Sequence, residues 1–182
     1  TKKQCAFAYR NSIFKQSEKG KNVVTYVVYK LNRTPRYVLT YGNLREQCEA
    51  MGGVNAANIR AAVCATRANK LPDPAIIGSA GSFFMNPVVA ADKAAQLKEL
   101  YPSIPTYPTA TGVKLSAGWM IEQCGWKQRS NSTVGVYPKQ ALVVVNLGGA
   151  TGEDIMQYAA MIQKSVAEKF GVSIFPEVNV IE

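Results

Sequence analysis

The chain has 182 residues, 47% of them apolar, a net charge of +9 and no histidine. That length bounds it to one large or two small domains, and the apolar fraction suffices for a packed core. No apolar stretch approaches a membrane span, and the missing histidine argues against a zinc site and against imidazole acid–base chemistry, so no metal is expected. The positive charge has two readings: a basic face for nucleic acid, or recognition of an anionic small molecule with the rest of the charge solvated. The Lys and Arg residues are scattered rather than clustered, and no nucleic-acid motif occurs, which favours the second. Cys5, Cys48, Cys64 and Cys124 form no CxxC pair and read as reduced thiols of a cytosolic protein.

The start, Thr1 to Cys5, has no apolar run behind it and reads as no signal peptide. The absent initiator methionine reads as a fragment or a processed piece. Residues 23–31, VVTYVVYKL, are β-branched and aromatic and predict a strand, broken over Asn32 to Pro35. Residues 55–68 are Ala-rich and predict a helix with Ile59 and Val63 on one face. Pro72 and Pro74 stop it, and a domain boundary is expected there. Residues 78–89, GSAGSFFMNPVV, place Ser82 in a Gly-flanked turn backed by Phe83 and Phe84. Alone, such a serine reads as a turn residue bonding its own backbone.

A second helix is expected over 88–100, with Ala91, Ala94, Leu97 and Leu100 inward, then an extended loop over the three prolines of 101–108. Ser116 reads as the N-cap of a short helix, 117–124, stopped by Gly125. Residues 126–138 read as polar turns and 141–145, ALVVV, as a short buried strand. Thr151 with Asp154 reads as a capping box. It opens a helix whose face is Ile155, Ala159, Ile162, Val166 and Phe170, closed by Gly171. Residues 172–181 read as a returning strand in which Glu177, flanked by apolar residues, is either a solvent-facing strand end or a carboxylate with a partner. Trp119 and Trp126 read as core or groove walls. Helices and strands mix without strict βαβ alternation, so the fold class is α+β.

Four segments carry a resemblance that runs along nearly the whole chain. They are CAFAYRNSIFK (5–15), VLTYGNL (38–44), KLPDP with GSAGSFFMNPVV (70–74 and 78–89), and KLSAGWMIEQCG, VYPKQALVVVN and PEVNVI (114–125, 136–146 and 176–181). In that order they resemble the bacterial UDP-N-acetylenolpyruvoylglucosamine reductases, the MurB family. The Tyr41 segment resembles the subclass whose tyrosine-bearing loop closes over the substrate. The family's glycine-rich flavin segments have no match here. The resemblance therefore implies the end of a flavin-binding second domain (1–71), a substrate-binding third domain (72–171) and a strand returning to the first domain (172–182). It also implies a fragment that needs the missing N-terminal part and is inactive alone.

The reaction so implied is cytoplasmic and belongs to peptidoglycan precursor synthesis. FAD, reduced by NADPH, delivers hydride to UDP-N-acetylglucosamine enolpyruvate, giving UDP-N-acetylmuramate; no nucleic acid or membrane is involved. By matching position, Ser82 is the proton donor, Arg10 the catalytic arginine and Glu177 the catalytic glutamate. Tyr41, Lys70, Asn86 and Gln140 match positions that hold the diphosphate. Lys114 is placed near the nucleotide or is a surface lysine, and Tyr9 beside the flavin. The alternative is a UDP-sugar-binding domain that has lost the chemistry.

Overall fold

The computed structural model describes residues 1–181, so Glu182, the last residue of the expected returning strand, lies outside the described residues. The chain divides into two compact units, Thr1–Leu39 and Thr40 onward. The first holds a short helix, α1 (Lys2–Cys5), capped by Thr1, and a 3₁₀ turn over Ile13–Lys15. Residues 23–31 have no ladder partner among the described residues and no regular structure, and both alternate faces are bare: Val23 is 88% and Val28 84% exposed. This corrects the expected strand. β-branched composition describes a surface that fits a sheet, but the strand exists only once a neighbour takes its backbone groups.

The second unit opens with α2 (Leu44–Ala50) and α3 (Ala56–Lys70). The Asn55 side chain accepts from the Asn58 N–H at the start of α3, and the helix stops at Lys70 before the prolines. β1 (Gly78–Ser82), β2 (Val88–Val89) and α4 (Ala91–Leu100) follow. Next come β3 (Thr106–Thr109), β4 (Gly112–Leu115) and α5 (Ala117–Gln123), then β5 (Val134–Val136), β6 (Val143–Asn146) and α6 (Gly152–Phe170). The strands form two antiparallel three-stranded sheets, ordered β1-β6-β5 and β2-β4-β3. The class is α+β, as expected.

α6 supplies most of the core's spine. Its Thr151–Asp154 capping box is formed, Gly171 ends it in the left-handed conformation (φ 60°), and Ala159, Ile162, Val166 and Phe170 are buried. Against it pack Leu97, Ile104, Leu115, Met120, Ile121, Trp126 and the buried strands β5 and β6. Trp126 is thus core, while Trp119 is a partly buried wall, edge-on to Tyr101 and tilted against Phe170. α5 is capped as expected, the Ser116 hydroxyl accepting from the Trp119 N–H.

Several expectations are corrected. The helix expected from Val88 starts at Ala91, because Val88 and Val89 pair with β4. Leu100 and Ala91 are exposed, and Tyr101, seven residues after Ala94, takes the inward place against Phe170. Part of the expected proline loop is the edge strand β3, where Pro108 sits opposite Val113, tolerated because an edge needs no N–H on its outer side. The segment read as polar turns contains β5, whose three residues are all buried. Among the described residues, 172–181 make one bridge, Phe84 to Pro176, flanked by the bonds that the Glu177 and Met85 N–H groups donate, and not the strand expected there.

Candidate active site

Ser82 ends a strand and does not sit in a turn. β1 is GSAGS, small residues paired to β6 with an irregular register between Ser79 and Ser82. Gly81, at φ 75°, absorbs that bulge in a conformation a larger residue would strain. The chain beyond Ser82 is fixed on both sides. The Phe83 N–H donates to the Leu142 carbonyl (2.7 Å), the Phe83 carbonyl accepts from the Glu177 N–H (2.7 Å), and the Met85 N–H donates to the Phe175 carbonyl (2.9 Å). Phe83 and Phe84 are buried behind Ser82 with their rings edge-to-face. The structure thus brings Phe83, the residue after Ser82, beside Glu177, although more than ninety residues separate them in the sequence. Glu177 is half-buried.

A cavity of about 650 Å³ opens beside Ser82. Four residues anticipated from sequence line it together: Tyr41, Lys70, Ser82 and Gln140. Tyr41 precedes α2 and is 78% exposed, Lys70 ends α3, and Gln140 precedes β6. The Gln140 side-chain oxygen accepts from the Leu142 N–H (3.4 Å), which leaves its amide N–H₂ to donate. Among the described residues no Asp or Glu lines this cavity, and the charged side chains that do are Lys70 and Arg67, both on α3.

Asn86 and Lys114 are not in this lining. The Asn86 side-chain oxygen accepts from the Ala117 N–H (2.9 Å), an orphan donor at the start of α5, so half of its amide is structural. Lys114 lies on the central strand β4 with its ammonium 5.4 Å from the centre of the Tyr107 ring, a cation–π contact. Tyr9 and Arg10 belong to the unit Thr1–Leu39. Arg10 occupies a tight turn between the paired residues Ala8 and Asn11, at φ 53°, with its guanidinium 5.6 Å from the centre of the Tyr9 ring. A non-glycine residue held there carries backbone strain of a kind that clusters at working sites.

Sequence reading missed Arg67, Thr66, Asn43 and Gln47, all in the lining. The signal was present: Val63, Thr66, Arg67 and Lys70 recur at helical spacing and form one stripe of α3. Among the described residues no group of His, Cys, Asp and Glu could hold a metal, and no helix is long and apolar enough to cross a membrane.

Residues 73–181, which include β1, Ser82, Gln140 and Glu177, match the family model for the C-terminal domain of UDP-N-acetylenolpyruvoylglucosamine reductase. The chain belongs to that family. It is similar to the reductases so named from Bacteroides fragilis (45% identical over 179 residues, 98% of this chain and 54% of that protein) and Porphyromonas gingivalis (48% over 179 residues, 97% and 53%). The reductase of that name from Chromobacterium violaceum is 47% identical over 177 residues, 96% of this chain and 52% of that protein. The chain therefore spans about half the length of the curated relatives it matches. The family resemblance read from the sequence is thereby borne out.

Proposed function

We propose that the cavity beside Ser82 binds a UDP-sugar, and that the full-length protein reduces UDP-N-acetylglucosamine enolpyruvate to UDP-N-acetylmuramate in peptidoglycan precursor synthesis in the cytoplasm. The observation that carries this reading is the meeting of Tyr41, Lys70, Ser82 and Gln140, from four separate segments, on one cavity that no Asp or Glu lines among the described residues. The donor set fits a diphosphate. Lys70 supplies a point charge, Gln140 a neutral N–H₂, and the exposed Tyr41 a hydroxyl on a loop able to close as a lid.

A flavin reduced by NADPH, held largely by segments this chain does not include, supplies the hydride when bound. The work of this chain is to manage the charge that hydride addition leaves on the substrate. Ser82 gives its hydroxyl proton to the neighbouring carbon; a serine is a weak acid, and it serves here because the acceptor is a strongly basic carbon and the donor is already positioned. The permanently charged guanidinium of Arg10 stabilises the enolate and the adjacent carboxylate. Glu177 hydrogen-bonds or protonates the developing enol. Tyr9 packs beside the flavin, and Asn86 and Lys114 add donors toward the nucleotide. The division into the end of a flavin domain (1–71), a substrate domain (72–171) and a returning segment (172–182) belongs to this same reading.

Full-length protein incubated with NADPH and UDP-N-acetylglucosamine enolpyruvate is expected to yield a product heavier by two hydrogens, read by mass spectrometry. Tight substrate binding with no such product would leave only the binding-domain alternative.

A further inference from the structure

A second cavity, of about 730 Å³, adjoins the first and shares Lys70, Thr66, Gln47 and Asn43 with it. Its own contributions are Ala65, Asn69 and Lys139. The hydrogen bonds around it have a common direction. The Asn43 side-chain oxygen accepts from the Gln47 N–H₂ (2.6 Å), the Gln47 oxygen from the Thr66 hydroxyl (3.3 Å), and the Asn69 oxygen from the Lys139 ammonium (3.1 Å). The oxygen of every side-chain amide in the lining is thus taken by a protein donor. What remains to meet a ligand is donor capacity: the amide N–H₂ groups of Asn43 and Asn69 and the ammonium groups of Lys70 and Lys139. Among the described residues no Asp or Glu lines the cavity. A cavity whose side-chain amide oxygens each already accept a protein donor, and which has two cations on its wall, disfavours a cation and favours an anion of high charge.

We infer that this second cavity is a phosphomonoester site, distinct from the diphosphate site beside Ser82 and sharing Lys70 with it. Lys139 is its distinguishing residue, because it reaches the second cavity and is absent from the lining of the first. The dianion has two sources. It is carried by a nucleotide whose diphosphate lies in the first cavity, as the 2′-phosphate of NADP⁺ would be, or it is free inorganic phosphate. The nucleotide source rests on the functional reading above; the site itself does not.

The test is calorimetric and needs no turnover. UDP, NAD⁺, NADP⁺ and inorganic phosphate are titrated into the full-length protein, into Lys139→Ala and into Lys139→Arg. A 2′-phosphate in this site makes NADP⁺ bind at least about tenfold more tightly than NAD⁺, the scale of one charge-assisted contact. Lys139→Ala brings the two affinities together, Lys139→Arg restores most of the difference, and UDP affinity is unchanged in both. If NADP⁺ and NAD⁺ bind alike but inorganic phosphate binds and is lost in Lys139→Ala, the occupant is free phosphate. Undiminished binding of both NADP⁺ and phosphate in Lys139→Ala overturns the proposal, as does an equal loss of UDP. Failure of UDP to bind at all would instead count against the diphosphate reading of the first cavity.

Discussion

Lys70 is the residue on which both cavities converge, and its effect follows from charge and position. It ends α3, where the helix leaves its last carbonyls unpaired, and a cation there is favourable to the helix as well as to a ligand anion. Lys70→Ala in the full-length protein should therefore weaken UDP-sugar binding by roughly 1.5–3 kcal/mol, about ten- to a hundredfold in affinity, with little loss of thermal stability. Calorimetry with UDP beside a melting curve checks it. An unchanged UDP affinity would remove Lys70 from the diphosphate site. Arg67 is the neighbouring cation that the sequence reading passed over, although it shares one helical stripe of α3 with Val63, Thr66 and Lys70.

At the scale of elements, the capping box of α6 gives a pH signature. The Asp154 carboxylate accepts from both the Thr151 hydroxyl (2.7 Å) and the Thr151 N–H (2.8 Å), and these bonds hold its pKa below the ordinary aspartate value. A lowered pKa in the folded state means stability that is fully present above the unfolded aspartate pKa and lost as pH falls through the folded one. Asp154→Asn should flatten that acid-side loss, and Thr151→Ala should cost about 1 kcal/mol at neutral pH. Denaturant titrations between neutral and acidic pH check both; parallel pH curves for wild type and Asp154→Asn would contradict the assignment. Such local devices are also what the sequence made legible. The ends of α5 and α6 are written in Ser116, Thr151, Asp154 and Gly171, whose partners lie within a turn. β1 was not legible, because GSAGS has no strand character of its own and becomes a strand by pairing with β6. Residues 23–31 failed in the opposite sense, having strand composition and no ladder partner among the described residues. The site was legible only in part for the same reason: Phe83, next to Ser82, and Glu177 are joined by a backbone bond between remote segments, which no spacing announces.

At the scale of the whole molecule, the chain carries the residues proposed for substrate and spans about half the length of its relatives. The 182-residue chain alone is therefore expected to bind UDP weakly and FAD poorly. Sub-micromolar FAD affinity in calorimetry would contradict that division of labour. The central claim, that the cavity beside Ser82 is where the proton is delivered, is tested most directly by stopped-flow absorbance of the flavin in full-length Ser82→Ala and Ser82→Cys. Reduction by NADPH should proceed at near-normal rate in both, since it does not involve the substrate carbon. Reoxidation by the enolpyruvyl substrate should slow by about 10²–10⁴-fold in Ser82→Ala, the usual contribution of a positioned proton donor, and recover in part in Ser82→Cys, whose thiol is again a donor. Near-wild-type reoxidation in Ser82→Ala, or equal small losses in both variants, would contradict the account and leave Ser82 as the end of a strand.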